Sequence, residues 1–203
     1  MAKRSRSIFI FNFIAPIYGL FYKRQNKNYS RDLILLSEHV DVSKYHSIID
    51  VGCGTGALCS ALNKLGVSVT GVDPAKKMLK IGAKKKENTA INFINASSTN
   101  SLPFEDKNFD LSVASYVAHG MKLVERKKLY AEMSRVSRHY VILYDYNDKS
   151  AFFTNIIEKI ERGDYFNFIK NVKNELNKYF ESFVEIKLGK QASWYICIPL
   201  IIN

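Results

Sequence analysis

Two acidic residues and three glycines lie close enough in the chain to build one ligand site. In "HSIIDVGCGTGALCSAL", residues 46 to 62, an apolar run ends at Asp50, glycines follow at Gly52, Gly54 and Gly56, and apolar residues then recur at helical spacing. A strand that turns through glycines into a helix is a nucleotide-binding device, because glycine lets the backbone approach a ligand where a side chain has no room. Gly52, Gly54 and Ala57 satisfy the G-x-G-x-x-G/A dinucleotide pattern. Asp73, closing "VSVTGVD", suits a ribose diol, since a carboxylate accepts two hydroxyl hydrogen bonds well. Asp50 tips the balance between ligands. A carboxylate two residues before the first glycine repels a pyrophosphate and attracts a cofactor with positive charge and no phosphate. S-adenosylmethionine, with an ammonium and a sulfonium, is that cofactor. The alternatives are an Asp50 that bonds only loop amides and a nicotinamide-dependent oxidoreductase.

A second group of reactive side chains follows "FDLSVASYVAH", residues 109 to 119. Ligands of open α/β sheets bind beyond the carboxyl ends of the strands, where Tyr116 and His119 fall. An imidazole titrates in the range needed to take a proton from an oxygen, nitrogen or carbon acid, so His119 is the candidate general base and Tyr116 the second candidate. Their plain alternative is pocket shaping, with His119 beginning the next helix. His39, His46 and His139 have weaker claims: the first belongs to a surface helix, and the others immediately precede predicted buried strands. Cys53, Cys59 and Cys197 have no C-x-x-C spacing, which predicts neither a disulfide framework nor a zinc site and fits a reducing cytoplasm. No metal site is expected. Cys53 is read as a small residue tolerated inside the glycine turn.

The elements that must position these residues alternate. After an aromatic, basic lead-in over residues 1–28, the spacing predicts a helix over 29–40, a strand at "SIIDVG", a helix over 57–65 ended by Gly66, and a strand over 67–73. Pro74 is expected at the first position of a helix running to Lys86. "INFINA" and "FDLSVASY" read as strands, 122–136 as a helix and "YVILYDY" as a strand. Helices near 150–161 and 165–180 precede two adjacent strands, "FVEIKLG" and "SWYICIPLII". The expected fold is α/β: a doubly wound, mostly parallel seven-stranded sheet with an antiparallel terminal hairpin and an N-terminal helical lid. The chain reads as one domain over 1–203, with a lid over 1–40, a cofactor-binding core over 41–145, and a lid insert plus hairpin over 146–203.

The net charge of +11 allows an anionic partner, yet the basic residues read as scattered, with "KKK" at 84–86 and "ERKK" at 125–128 as solvated helix surfaces. Nucleic acid is therefore not favoured. "MAKRSRSIFIFNFIAPIYGLFY" has a basic start and an apolar run, but Asn12 and Pro16 interrupt it, and it is too short and broken to span a bilayer. A lid that packs on the domain is expected, with peripheral membrane contact through Lys3, Arg4 and Arg6 as the alternative.

"DVGCGTGAL", then "VTGVD", "LPF" and "FDLSVASYVAH" resemble, in order and spacing, the class I S-adenosylmethionine-dependent methyltransferases, and more narrowly the methyltransferase type 11, UbiE-like group. The resemblance covers roughly residues 8–145, and "FNFIAPIYGLF" is similar to the group's lead-in. It implies that Asp50 lies near the methionine ammonium, that Gly52, Cys53 and Gly54 border the methionyl and ribose portions, and that Asp73 holds the ribose hydroxyls. It places Pro74 and Met78 beside the adenine, Tyr18 over the methionine end, and Ser115 at the cofactor edge. Where the group usually has an acidic residue for the adenine amine, this chain has Ser97 or Ser98, and Gly19 stands where an aspartate commonly follows the tyrosine. The implied reaction is methyl transfer to a small-molecule acceptor with release of S-adenosylhomocysteine. Phe9, Phe11, Phe13, Tyr22, Phe152, Phe153, Tyr165, Phe166 and Phe168 fit an apolar or planar acceptor, quinone-like or lipid-like, or else ordinary core packing. An RNA methyltransferase is the competing class, weakened by the absence of a [D/N]-P-P-Y element and of a Pro-Cys pair. A non-catalytic binding module is disfavoured by the intact loop and both acidic residues.

Overall fold

A computed structural model describes residues 2–147, 164–189 and 191–200. The helix expected over 150–161, with Phe152 and Phe153, lies outside the described residues. The chain divides into two compact units, Met1–Ser97 and Ser98–Asn203. Among the described residues seven strands form a mostly parallel sheet, three of them in the first unit and four in the second.

The first unit comprises α1 (Ala2–Ser37), β1 (Ser47–Val51), α2 (Ala57–Asn63), β2 (Ser68–Val72), α3 (Lys76–Ala83) and β3 (Asn92–Ile94). β2 pairs in parallel with both β1 and β3, and the register sets Asp50 opposite Gly71 and Val51 opposite Val72. The two acidic residues, Asp50 in β1 and Asp73 just past β2, thus come to the same end of neighbouring strands. The lead-in differs from expectation. Residues 2–37 form one helix, although Pro16, Gly19 and a run of aromatic residues give it poor intrinsic propensity. Tertiary contacts supply what propensity lacks. Ala15, Tyr22, Asn26, Leu33 and Leu36, at intervals of seven, four, seven and three residues, lie on one buried face. Asn26 Nδ2 donates to the Ala57 carbonyl at 2.9 Å and the Tyr22 hydroxyl to Asn88 Oδ1 at 2.8 Å, while the Lys77 N–H donates to Asn12 Oδ1 at 2.9 Å. Pro74 does not open α3. Ala75 caps the helix in an extended conformation and Lys76 is its first residue, because the Ala75 N–H is held by the side chain of Asp73 at 2.7 Å.

The second unit comprises β4 (Phe109–Ser115), α4 (Leu123–Val136), β5 (Ser137–Tyr146), α5 (Tyr165–Tyr179), β6 (Phe180–Leu188) and β7 (Ala192–Pro199). β4 and β5 are parallel, and β7 inserts antiparallel between β5 and β6. The expected terminal hairpin is therefore present. β5 starts three residues earlier than its apolar pattern indicates, so His139 sits inside the strand with its side chain exposed rather than before it. Arg126, expected on a solvated surface, is 1% exposed. Its Nε and Nη2 form a two-pronged pair with Glu175 at 2.8 and 2.7 Å, Nη1 reaches Asp164 at 3.1 Å, and Nη1 also donates to the Met121 carbonyl. One guanidinium therefore ties α4, α5 and the segment after β4 together, which a lysine could not do with the same geometry.

Candidate functional site

In the first unit the glycine turn follows β1 directly. The N–H groups of Gly52 and Cys53 both donate to the Val72 carbonyl, at 2.7 and 3.1 Å, which pulls the turn over the end of β2. Gly52 and Gly54 have φ of +81° and +54°, and a Cβ added at Gly54 would meet nothing within 4 Å. The backbone there faces open space in a conformation that side chains rarely adopt. Asp73 braces the turn. Its Oδ2 accepts from the Gly54 N–H at 2.9 Å and its Oδ1 from Ala75, so each oxygen keeps one lone pair for a further donor. Burial pushes the Asp73 carboxyl up to about 6 against the lowering effect of the two backbone N–H groups.

Asp50 is more extreme. It is 1% exposed, and its Oδ2 accepts from Cys59 Sγ at 3.1 Å. Its Oδ1 has no hydrogen-bond partner among the described residues. Burial raises this carboxyl to about 7, opposed by the Cys59 hydrogen bond and augmented by the charge of Asp73. A buried carboxylate oxygen without a donor is costly, and a proton on the carboxyl, or a donor or cation brought by a ligand, would satisfy it. Cys53 lies under the turn beside Cys59. Burial raises its thiol to about 11 and that of Cys59 well above the ordinary value, so both remain protonated at neutral pH. Gly71 makes room for the two sulfurs, since a Cβ there would lie 2.8 Å from Cys53 Sγ and 3.0 Å from Cys59 Sγ. Met78 is buried with Ala15 and Ala75, and Tyr18 packs against the same cluster, so α1 and α3 bring these two predicted residues together. Pro74 is half-buried at the head of α3, and Ser97 is half-buried at the end of the unit.

In the second unit Ser98 is buried, and Ser115 closes β4 half-buried. Tyr116 follows in the left-handed region, φ +53°, with its N–H held by the Tyr144 carbonyl at 2.7 Å. A non-glycine residue in that region carries strain of order 1 kcal/mol, which surrounding contacts must hold. His119 does not begin α4. It lies in a 3-10 turn, Ala118–Gly120, and is buried. Its Nδ1 is 2.8 Å from Asp145 Oδ1. Asp145 also accepts N–H groups from Ala118 at 3.0 Å, His119 at 3.3 Å and Tyr146 at 2.8 Å. A carboxylate gathering that many donors is an acceptor toward the ring, so Nδ1 carries hydrogen and Nε2 is the basic nitrogen. Tyr146 meets the His119 ring edge-on at 4.8 Å and also contacts Tyr116 at 5.2 Å and Tyr165 at 5.0 Å. Among the described residues no group of three or more His, Cys, Asp or Glu could hold a metal ion.

Residues 49–144 match the methyltransferase-domain family, type 11. A methyltransferase from Alkaliphilus oremlandii is 24% identical over 86% of this chain and 81% of its own length. The demethylmenaquinone methyltransferase of Paenarthrobacter aurescens is 31% identical over 64% of this chain, which spans about half, 49%, of that protein. The chain belongs to the class I S-adenosylmethionine-dependent methyltransferases. Solved structures agree on the fold of this methyltransferase. A Pyrococcus horikoshii protein superposes with a TM-score of 0.68 at 22% identity over 82% of this chain and 86% of its own. Magnesium protoporphyrin IX methyltransferase of Synechocystis, solved with S-adenosylhomocysteine, superposes with a TM-score of 0.62 at 14% identity over 86% of this chain and 83% of its own.

Two residues of the methyltransferase's candidate machinery were not singled out from sequence. Asp145 was hidden in "YVILYDY", although an acidic residue inside an apolar strand is itself a signal, since burial must be compensated. Cys59 was weighed only for disulfide and zinc spacing, and only the fold brings its thiol to Asp50.

Proposed function

We propose that this methyltransferase holds S-adenosylmethionine on the glycine turn of its first unit and methylates a small-molecule acceptor, apolar or aromatic, whose proton is taken by His119. The cofactor supplies an activated methyl group on a sulfonium, so the protein's work is to bind, orient and deprotonate. The observation that carries the cofactor assignment is the buried, unpartnered Oδ1 of Asp50 beside an open glycine backbone. Asp50 pairs with the ammonium and Asp73 with the ribose diol, while Gly52, Cys53 and Gly54 give the backbone approach. Pro74 and Met78 border the adenine, Ser97 reads its amine edge, and Tyr18 covers the methionine end. Calorimetry tests this assignment. S-adenosylmethionine and S-adenosylhomocysteine should bind and NAD should not; NAD binding with neither of the others would overturn it.

For the acceptor, the ring cluster of Tyr116, His119, Tyr146 and Tyr165 supports a planar molecule. Two proteins this chain resembles are named for planar acceptors, a demethylmenaquinone and a magnesium protoporphyrin. The Asp145 carboxylate fixes the His119 tautomer so that Nε2 receives the proton. His119→Ala should lower turnover by about 10²–10⁴-fold, the usual worth of a positioned base, with cofactor affinity unchanged. Asp145→Asn should lower turnover as well, by presenting a donor where the ring needs an acceptor. Turnover is read with methyl-labelled cofactor and extracted small molecules; full activity in His119→Ala would retire the base.

A further inference from the structure

α1 is apolar on two faces, and only one of them is used. The inward face carries the buried Ala15 and Tyr22. On the other side Phe9, Phe13, Ile17 and Leu20, spaced four, four and three residues apart, form one exposed stripe, with Phe13 75% and Leu20 82% exposed. Ile10 and Phe21 border it and are exposed too. Monomeric proteins rarely leave such a contiguous aromatic and aliphatic surface in water without a use. Its electrostatic setting is one-sided. Lys3, Arg4 and Arg6 precede the stripe and Lys23, Arg24, Lys27 and Arg31 follow it, and no acidic residue occurs before Asp32. Basic residues expected to be scattered thus flank one apolar stripe along a single helix. Among the described residues no helix is long and apolar enough to cross a membrane.

We infer that the outward face of α1 seats on an anionic lipid bilayer, with Phe9, Phe13, Ile17 and Leu20 at the acyl boundary and the exposed Arg24 and Lys27 among the headgroups. An interfacial helix combines these two features, an apolar stripe and basic flanks, and lies in the membrane plane. A second copy of the chain fits worse, because an isologous pairing through this face would set its like-charged basic flanks against each other. RNA would use the charge and leave the phenylalanines and leucine in water. The inference does not depend on the methyl-transfer reading, since binding to lipid is measured without cofactor.

Vesicle flotation tests it with two lipid compositions, phosphatidylcholine alone and phosphatidylcholine with about one-third phosphatidylglycerol. The full chain should partition at least ~10-fold more strongly onto the anionic vesicles, and less so as salt rises through the range where the Debye length shortens from about 30 to about 8 Å. F13Q/L20Q, which leaves the charge unchanged, should lose at least ~10-fold of that binding, and R24Q/K27Q should erode the preference for anionic lipid. All four side chains are exposed, so the circular dichroism melt and S-adenosylmethionine binding in solution should match the parent protein. Equal binding to both vesicle types, or F13Q/L20Q binding as well as the parent, overturns the inference. So does a dimer in solution that F13Q/L20Q dissolves, or salt-sensitive retention on RNA with none on vesicles.

Discussion

At the scale of single residues, Asp50 and Asp73 differ in what holds them. Asp73 is satisfied without ligand, each oxygen taking one backbone N–H, and its remaining lone pairs are what a diol would use. Asp73→Asn keeps the size and forfeits the charge, so S-adenosylmethionine affinity should fall by about 1–3 kcal/mol, the worth of charge-assisted hydrogen bonds; calorimetry with unchanged affinity would reject the ribose role. Asp50 is left with an unpaired oxygen and a carboxyl near 7. An ammonium ligand favours its ionised form, so binding should release a proton and affinity should rise from pH 6 to pH 7. Asp50→Asn should both weaken binding and flatten that rise. A parallel pH profile in the variant would show that Asp50 is not the group being titrated.

At the scale of elements, the junction between the glycine turn and α2 tolerates little change. Gly56 caps α2 with φ +75°, and a Cβ there would lie 2.6 Å from Cζ of Phe93. Gly56→Ala adds left-handed strain to a collision with a ring, and should cost about 1–3 kcal/mol in urea unfolding. A neutral result would mean the ring moves aside freely. The Arg126–Glu175 pair plays the corresponding part in the second unit, where it fastens α4 to α5. Arg126→Ala leaves a buried carboxylate unpaired and should cost about 3–5 kcal/mol, whereas the double replacement R126M/E175L should cost much less. A double-mutant cycle with additive losses would deny the coupling.

For the whole molecule, the two raised carboxyls predict how stability responds to pH. A carboxyl whose pKa is higher folded than unfolded binds more protons in the native state, so stability is greatest below the unfolded value and falls as pH rises toward the folded one. For Asp50 and Asp73 the window runs from about 4 up to about 7 and about 6. Each pH unit removes about 1.4 kcal/mol per group while both titrate. Ligand-free protein should therefore lose unfolding free energy from these two groups across that window. Saturating S-adenosylmethionine should restore it at pH 7 through linkage to the native state. Urea titrations at several pH values, with and without cofactor, check both signs; a ligand-free protein whose Asp50→Asn variant shows the same pH slope would refute the assignment.

The features legible in the residue order were local. The glycine turn, Asp50, Asp73 and the alternation of strands with helices all lie within short spans, where spacing alone constrains the backbone, and the seven strands and terminal hairpin followed from them. Three things needed the fold. α1 runs as one helix from Ala2 because its inward side chains dock on α2 and α3, against the helix propensity of Pro16 and Gly19. His119 gains Asp145 from 26 residues away, and Arg126 gains Glu175 from 49 away. Side-chain polarity shows that a buried charge needs a partner, but only the packed chain selects which one, because that choice depends on distances that no local pattern encodes.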